Sequence, residues 1–184
     1  MRLSLLVSVL TLFALPAVSL AHPETGFLPD AIAEMEYKMV LDLNPTDLRT
    51  RNKLGIVLYR KNRLKEAQLQ FGQVLKAAPK DFDAHDGMGL VKIKERSYAD
   101  AVAWFAKAIS LNGADTMVHY NQGFAYEQLG RLAEAEVCYR QGLAVNGILL
   151  QKGINRDAEL GKRSILLAAL KSVQAKLNPG RGRK

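Results

Sequence analysis

Cysteine occurs once in this chain of 184 residues, as Cys138, so an internal disulfide is excluded. Histidine is nearly as scarce, with His22, His85 and His119 as its members. There is no helical HExxH motif and no glycine loop that would cradle a phosphate. Cys138 has no sequence neighbour that would form a nucleophile–base pair, and its expected state is a buried thiol, with a reactive or intermolecular one as the alternative. These absences argue against an enzyme and leave no residue set for a cofactor or a metal. Acid is short as well: 18 Asp and Glu stand against 26 Lys and Arg, a formal charge of +8. The basic residues are denser over 49–65 and 162–184, but aromatics are only 7% of the chain and are not interleaved with them, which argues against a nucleic-acid partner. A solvated, mildly basic exterior is the plain reading, and attraction to anionic lipid headgroups or envelope polymers is the alternative.

Long apolar runs are missing except at the start. Leu3–Leu15 is shorter than the roughly 20 residues of a membrane span. It follows Arg2 and leads to Ser19-Leu20-Ala21, the order of a cleavable secretory leader over residues 1–21. Cleavage after Ala21 would leave a chain beginning His22-Pro23-Glu24 with no transmembrane segment, and no cysteine lies near the cut to carry a lipid. Export is expected, to a bacterial periplasm first. Secretion past the envelope, a eukaryotic secretory compartment and an uncleaved anchor are the alternatives.

What the chain does have is a period. Gly55, Gly89 and Gly123 stand thirty-four residues apart; Ala67, Ala101 and Ala135 follow each by twelve, and Phe71, Phe105 and Tyr139 by sixteen. A fixed period in this range marks a stacked-repeat architecture. The spacing predicts two antiparallel helices per unit, A then B, with the glycine inside helix A. A helical glycine costs about 0.5–1 kcal/mol relative to alanine. Close approach of helix B offsets that, with the alanine expected to face the glycine and the aromatic to fill the space between units. Glu66, Asp100 and Glu134 recur because each opens a B helix, where negative charge suits the dipole.

These residues resemble the tetratricopeptide repeat family. The first unit reads Leu54-Gly55-x-x-Leu58, Ala67, Phe71, Val74, Pro79; the second Met88-Gly89, Ala101, Phe105, Ala108; the third Gly123-x-x-Tyr126, Ala135, Tyr139. The turns Asn62-Arg63-Leu64-Lys65-Glu66-Ala67 and Gly130-Arg131-Leu132-Ala133-Glu134-Ala135 share a form common in the family. Arg51, His85 and His119 stand where the family has an early aromatic, and Gly113 and Gly147 replace its closing proline. The resemblance implies an all-α, right-handed solenoid with units over 48–81, 82–115 and 116–149. Ala33, Tyr37, Val40 and Pro45 extend the register backwards as a B-type half repeat over 30–45. Residues 157–177, with Asp157 at the glycine position, read as a C-terminal capping helix rather than a fourth repeat, and 178–184 as a basic tail. Residues 146–156 carry the weakest pattern.

In the family helix A lines a concave groove, which on this register is built from Asn52, Ile56, Tyr59 and Arg60, then Asp86, Leu90, Ile93 and Lys94, then Tyr120, Phe124, Glu127 and Gln128. Ile56, Leu90 and Phe124 form an apolar strip, with partial exposure expected at Tyr120 and Phe124. The implied function is a non-enzymatic adaptor or scaffold that holds a peptide or protein segment, without cofactor, during assembly of an envelope complex. The alternatives are a charge-led binder of an anionic envelope component, an accessory protein with a reactive Cys138, and a groove filled by the chain's own ends. The carboxylate-clamp subclass needs an asparagine where this chain has Ile56, so its ligand is not implied.

Overall fold

The computed structural model describes residues 29–179; the expected leader and residues 180–184 of the basic tail lie outside them. Eight helices follow one another among the described residues: α1 Asp30–Leu43, α2 Leu48–Arg60, α3 Leu64–Ala77, α4 Phe82–Lys94, α5 Tyr98–Leu111, α6 Thr116–Gln128, α7 Leu132–Gln151 and α8 Arg156–Leu177. No strand interrupts them. None of these helices is long and apolar enough to cross a membrane. The chain is an all-α solenoid, with α2–α3, α4–α5 and α6–α7 as its three helical pairs.

Each A helix is started by the same device. Asp47, Asp81 and Asp115, one period apart, accept hydrogen bonds from the backbone N–H groups of Thr50, Ala84, and both Met117 and Val118. An N-cap aspartate satisfies donors that the first turn leaves open. Each A helix also ends alike. Asn62, Arg96 and Gly130, again one period apart, have positive φ. The next N–H reaches back to the carbonyl five residues earlier: Arg63 to Leu58, Ser97 to Lys92, Arg131 to Tyr126. This left-handed stop closes the helix and turns the chain through the tight A–B corner.

The early aromatic position of helix A has a shared task despite its changed residues. Arg51 Nη2 donates to the Pro45 carbonyl at 2.7 Å. His85 Nε2 lies 3.0 Å from the Pro79 carbonyl and His119 Nε2 3.0 Å from that of Gly113, so this nitrogen carries the hydrogen in each ring. All three brace the loop six residues upstream. His85 also packs against Trp104, with ring centroids 5.4 Å apart. His85 and His119 are buried packing residues that anchor loops.

The glycines meet the aromatic rings, not the alanines, which corrects the expected pairing. A Cβ on Gly55 would stand 2.6 Å from Phe71, and one on Gly123 2.6 Å from Tyr139; Gly89 is closed in the same way by Phe105. The alanine and the aromatic share one face of helix B, four residues apart, and the longer side chain is the one that spans to the opposite backbone. Phe71 also lies against Gly87 of the following unit, so a single ring fills the space between two glycines. Phe71, Phe105 and Tyr139 are fully buried, as are Ala67, Ala101 and Ala135.

The two ends are built differently. α1 is a B-type helix that packs on α2. Its Glu34 is buried and holds Lys38, Lys61 and Arg63 at 2.6 Å each. Hydrogen bonds from Lys38, Lys61 and Arg63 draw this carboxyl down to about 2. At the other end α7 runs six residues longer than α3 or α5 before Gly153 ends it with positive φ. α8 then packs on α7 and α6, the place that the next A helix would take. Leu166 and Val173 bury themselves over Tyr139 and Ala135.

Candidate peptide-binding groove

The register sends one face of α2, α4 and α6 toward the concave side. Ile56, Leu90 and Phe124 are half-buried there, and so are Tyr59, Ile93 and Tyr120. Ile56 and Tyr59 rest on the first core cluster, and Leu90 and Ile93 on the second. Tyr120 packs on the third and lies against the Tyr139 ring at 5.7 Å. Each A helix therefore offers part of an apolar side chain to solvent while the rest is fixed by packing. Rigid, half-buried anchors lose little entropy when a ligand covers them.

The polar positions are mostly tied down within the chain. Arg60 pairs with Asp30 of α1 at 2.5 Å. Lys94 donates to the Tyr59 carbonyl at 2.7 Å and lies over its ring at 4.2 Å. Glu127 accepts from the Tyr139 hydroxyl at 2.9 Å and from Lys176 of α8 at 2.6 Å. Burial, with the hydrogen bond to Glu127, pushes the Tyr139 hydroxyl far above its usual range. Gln128 is exposed at the helix end. Asn52 is buried, and its amide nitrogen donates to the capping Asp81 at 2.9 Å. Asp86 is different. Burial, then the nearby Asp115 and Asp83, push it up to about 7 against the weaker pull of Asn121.

A hollow of about 470 Å³ opens at the N-terminal end of this face, between α1, α2 and α4. Asn52, Ile56, Arg60 and Asp86 line it together with Tyr37, Arg49, Lys53 and Asp83. The last four were not marked by the family register. Arg49 and Asp83 sit one turn before Asn52 and Asp86 on the same faces, which was a signal in the spacing. Tyr37 comes from the preceding B-type helix, and only the packing of α1 brings it in.

Cys138 is buried and donates to Gln122 at 3.3 Å. Burial pushes its thiol up to about 11, which leaves little thiolate for chemistry. Among the described residues no group of three His, Cys, Asp or Glu side chains is placed to hold a metal ion.

Residues 117–147 match the model of the tetratricopeptide repeat. One unit of the chain thus matches the tetratricopeptide repeat, and the fold is an α-solenoid of helical pairs. Solved structures agree on the architecture. The chain resembles MamA with a TM-score of 0.56 at 20% identity, over 80% of this chain and 91% of that one. It resembles PcrH from Pseudomonas aeruginosa, in complex with the chaperone binding region of PopD, with a TM-score of 0.62 at 19% identity, over 70% and 92%. SycD, the type III secretion translocator chaperone of Yersinia enterocolitica, gives a TM-score of 0.64 at 15% identity, over 77% and 92%. Such identities carry the fold alone. No curated protein matches the sequence. The repeat match covers α6 and most of α7, the unit that holds Tyr120 and Phe124.

Proposed function

We propose that the protein is a non-enzymatic adaptor whose concave face holds a peptide or protein segment, and that it works after export, in the assembly of an envelope complex. The observation that carries the reading is the half-buried apolar row Ile56, Leu90 and Phe124. Core residues of the same repeats are fully buried, so an apolar side chain left partly open in all three A helices favours a ligand contact. Helix α8 extends the A-helix layer beside α6, which favours a groove free of the chain's own C-terminal helix. PcrH, of the same fold, is solved with a segment of PopD, in keeping with a segment as the ligand class.

Capture from a native envelope extract at low and high salt tests this. An apolar groove ligand survives salt that screens surface charge. Phe124→Ala should weaken capture by roughly 1–2 kcal/mol while the melting temperature changes little. Lys65→Ala, on the outer turn, should change neither. Binding that salt abolishes and Phe124→Ala leaves intact would replace this reading with charge-led attachment to an anionic component.

A further inference from the structure

Four buried side-chain polar atoms lack a partner among the described residues: His85 Nδ1, His119 Nδ1, Asn52 Oδ1 and Asp86 Oδ1. The two imidazole nitrogens are the lone-pair sides of rings whose other nitrogen braces a loop. Asn52 Oδ1 and Asp86 Oδ1 are acceptors, they belong to neighbouring A helices, and both residues line the same hollow. A buried acceptor without a donor is costly, and a carboxylate more so. Three cations, Arg49, Lys53 and Arg60, line the same hollow, but among the described residues none of them makes an ion pair or hydrogen bond with Asp86 or Asn52. Arg60 is on Asp30, Lys53 lies toward the Tyr37 ring at 5.8 Å, and Lys94 is on Tyr59. Arg49 lies near Asp83 in the same lining, where burial, Asp81 and Asp115 raise that carboxyl against its pull. The groups facing Asp86 are Asp83 on its own helix, Asp115 at the N-cap of α6, Asn121 within α6, and Tyr59 from α2. None of them is a cation.

We infer that this hollow receives a primary ammonium, the end of a lysine side chain on the bound segment, with Asp86 and Asn52 as its acceptors. The inference rests on the groove reading and specifies its N-terminal subsite. A backbone N–H would satisfy one acceptor but would leave the charge of Asp86 uncompensated beside Asp83 and Asp115. An ammonium carries three rotatable donors and can serve oxygens on two helices, whereas a guanidinium fork suits one planar acceptor. The methylene stem would lie along Tyr37 and Ile56, in the manner of lysines that bury their stems on apolar surface. The preference is local and runs against the overall charge of +8, which would attract acidic ligands.

The test titrates N-acetyl-lysine N-methylamide into the purified protein, with the norleucine and glutamate analogues as controls. NMR follows the Asn52 side-chain amide and the Asp86 carboxyl carbon. The lysine probe should shift both signals and bind at least about tenfold more tightly than norleucine near pH 8. A cation favours the ionised acid, and Asp86 titrates at about 7, so the preference should shrink severalfold near pH 6. Asp86→Asn should abolish it with helicity unchanged, and the pH arm needs no variant. Equal binding of lysine and norleucine, a preference for glutamate, no shift at either residue, or a preference that outlives Asp86→Asn overturns the inference. Loss of the ammonium site with Phe124-dependent capture intact sinks this subsite alone; the reverse pattern sinks the groove reading alone.

Discussion

Asp86 is a residue whose charge the fold resists. An unfolded aspartate titrates near 3.8, and burial beside Asp115 moves it up to about 7 here. Below about pH 4 it is neutral in both states and its cost is absent; as pH rises through 7 the folded protein must carry the charge, and stability is lost. Asp86→Asn should therefore stabilise the free protein by roughly 2–4 kcal/mol near pH 8 and by almost nothing near pH 4, as read by urea unfolding at both values. An acid kept at a cost to the fold is what a binding role would retain. Gly89 makes the opposite point, that of a residue kept for packing. Gly89→Leu would drive a side chain into the Phe105 ring, and denaturant unfolding should show a loss of roughly 1–3 kcal/mol. The period located these glycines in the sequence. Which side chain closes over them was not legible, because alanine and aromatic share a helical face and reach decides between them. Nor does the bare sequence say that Arg51, His85 and His119 share a task, since only the carbonyls of Pro45, Pro79 and Gly113 show it.

At the scale of the element, α8 is the helix that the repeat pattern described least well. Its apolar members mark an amphipathic helix, but they do not tell where it docks. The docking is set by Glu159, a buried acid that accepts from Thr116 at 2.8 Å, Asn146 at 2.8 Å and Lys162 at 2.7 Å. Burial opposes its ionisation, yet the bonds from Lys162, Thr116 and Asn146 outweigh that and hold it below the ordinary carboxylate range. In sequence an acid in the first turn of a helix reads as a response to the dipole, and nothing local separates that from a tertiary anchor. Glu159→Ala would strand the Thr116 hydroxyl in a dry site and leave Asn146 only the backbone carbonyl of residue 159 as acceptor. The expected cost is about 2–4 kcal/mol. Hydrogen exchange should show it as faster opening of α8 with α2 and α4 unchanged, since repeats feel mainly their neighbours. Uniform acceleration along the chain would show instead that α8 is not a separate cooperative unit.

Across the whole molecule, the solenoid was legible because one period controls several independent features: caps, corners, glycines and rings. The groove was legible only as a row of positions. Its polar members are spent on partners far along the chain, Arg60 on Asp30, Lys94 on Tyr59 and Glu127 on Lys176, and the register carries no trace of those pairings. Export belongs to this scale too. The order Arg2, Leu3–Leu15, Ser19-Leu20-Ala21 predicts a mature chain that begins at His22, and intact-mass spectrometry of protein from its native host should find that terminus. Met1 retained in a membrane fraction would make the leader an anchor. The Phe71 ring held between Gly55 and Gly87 gives the molecule a mechanical character. It works as a rivet through two adjacent coils, so the first and second units must twist together. One period on from Gly87 stands Asn121, and among the described residues no second pair of glycines closes on one ring. A side chain introduced at Gly87 would therefore push on the Phe71 ring, and through it on the first unit as well as the second.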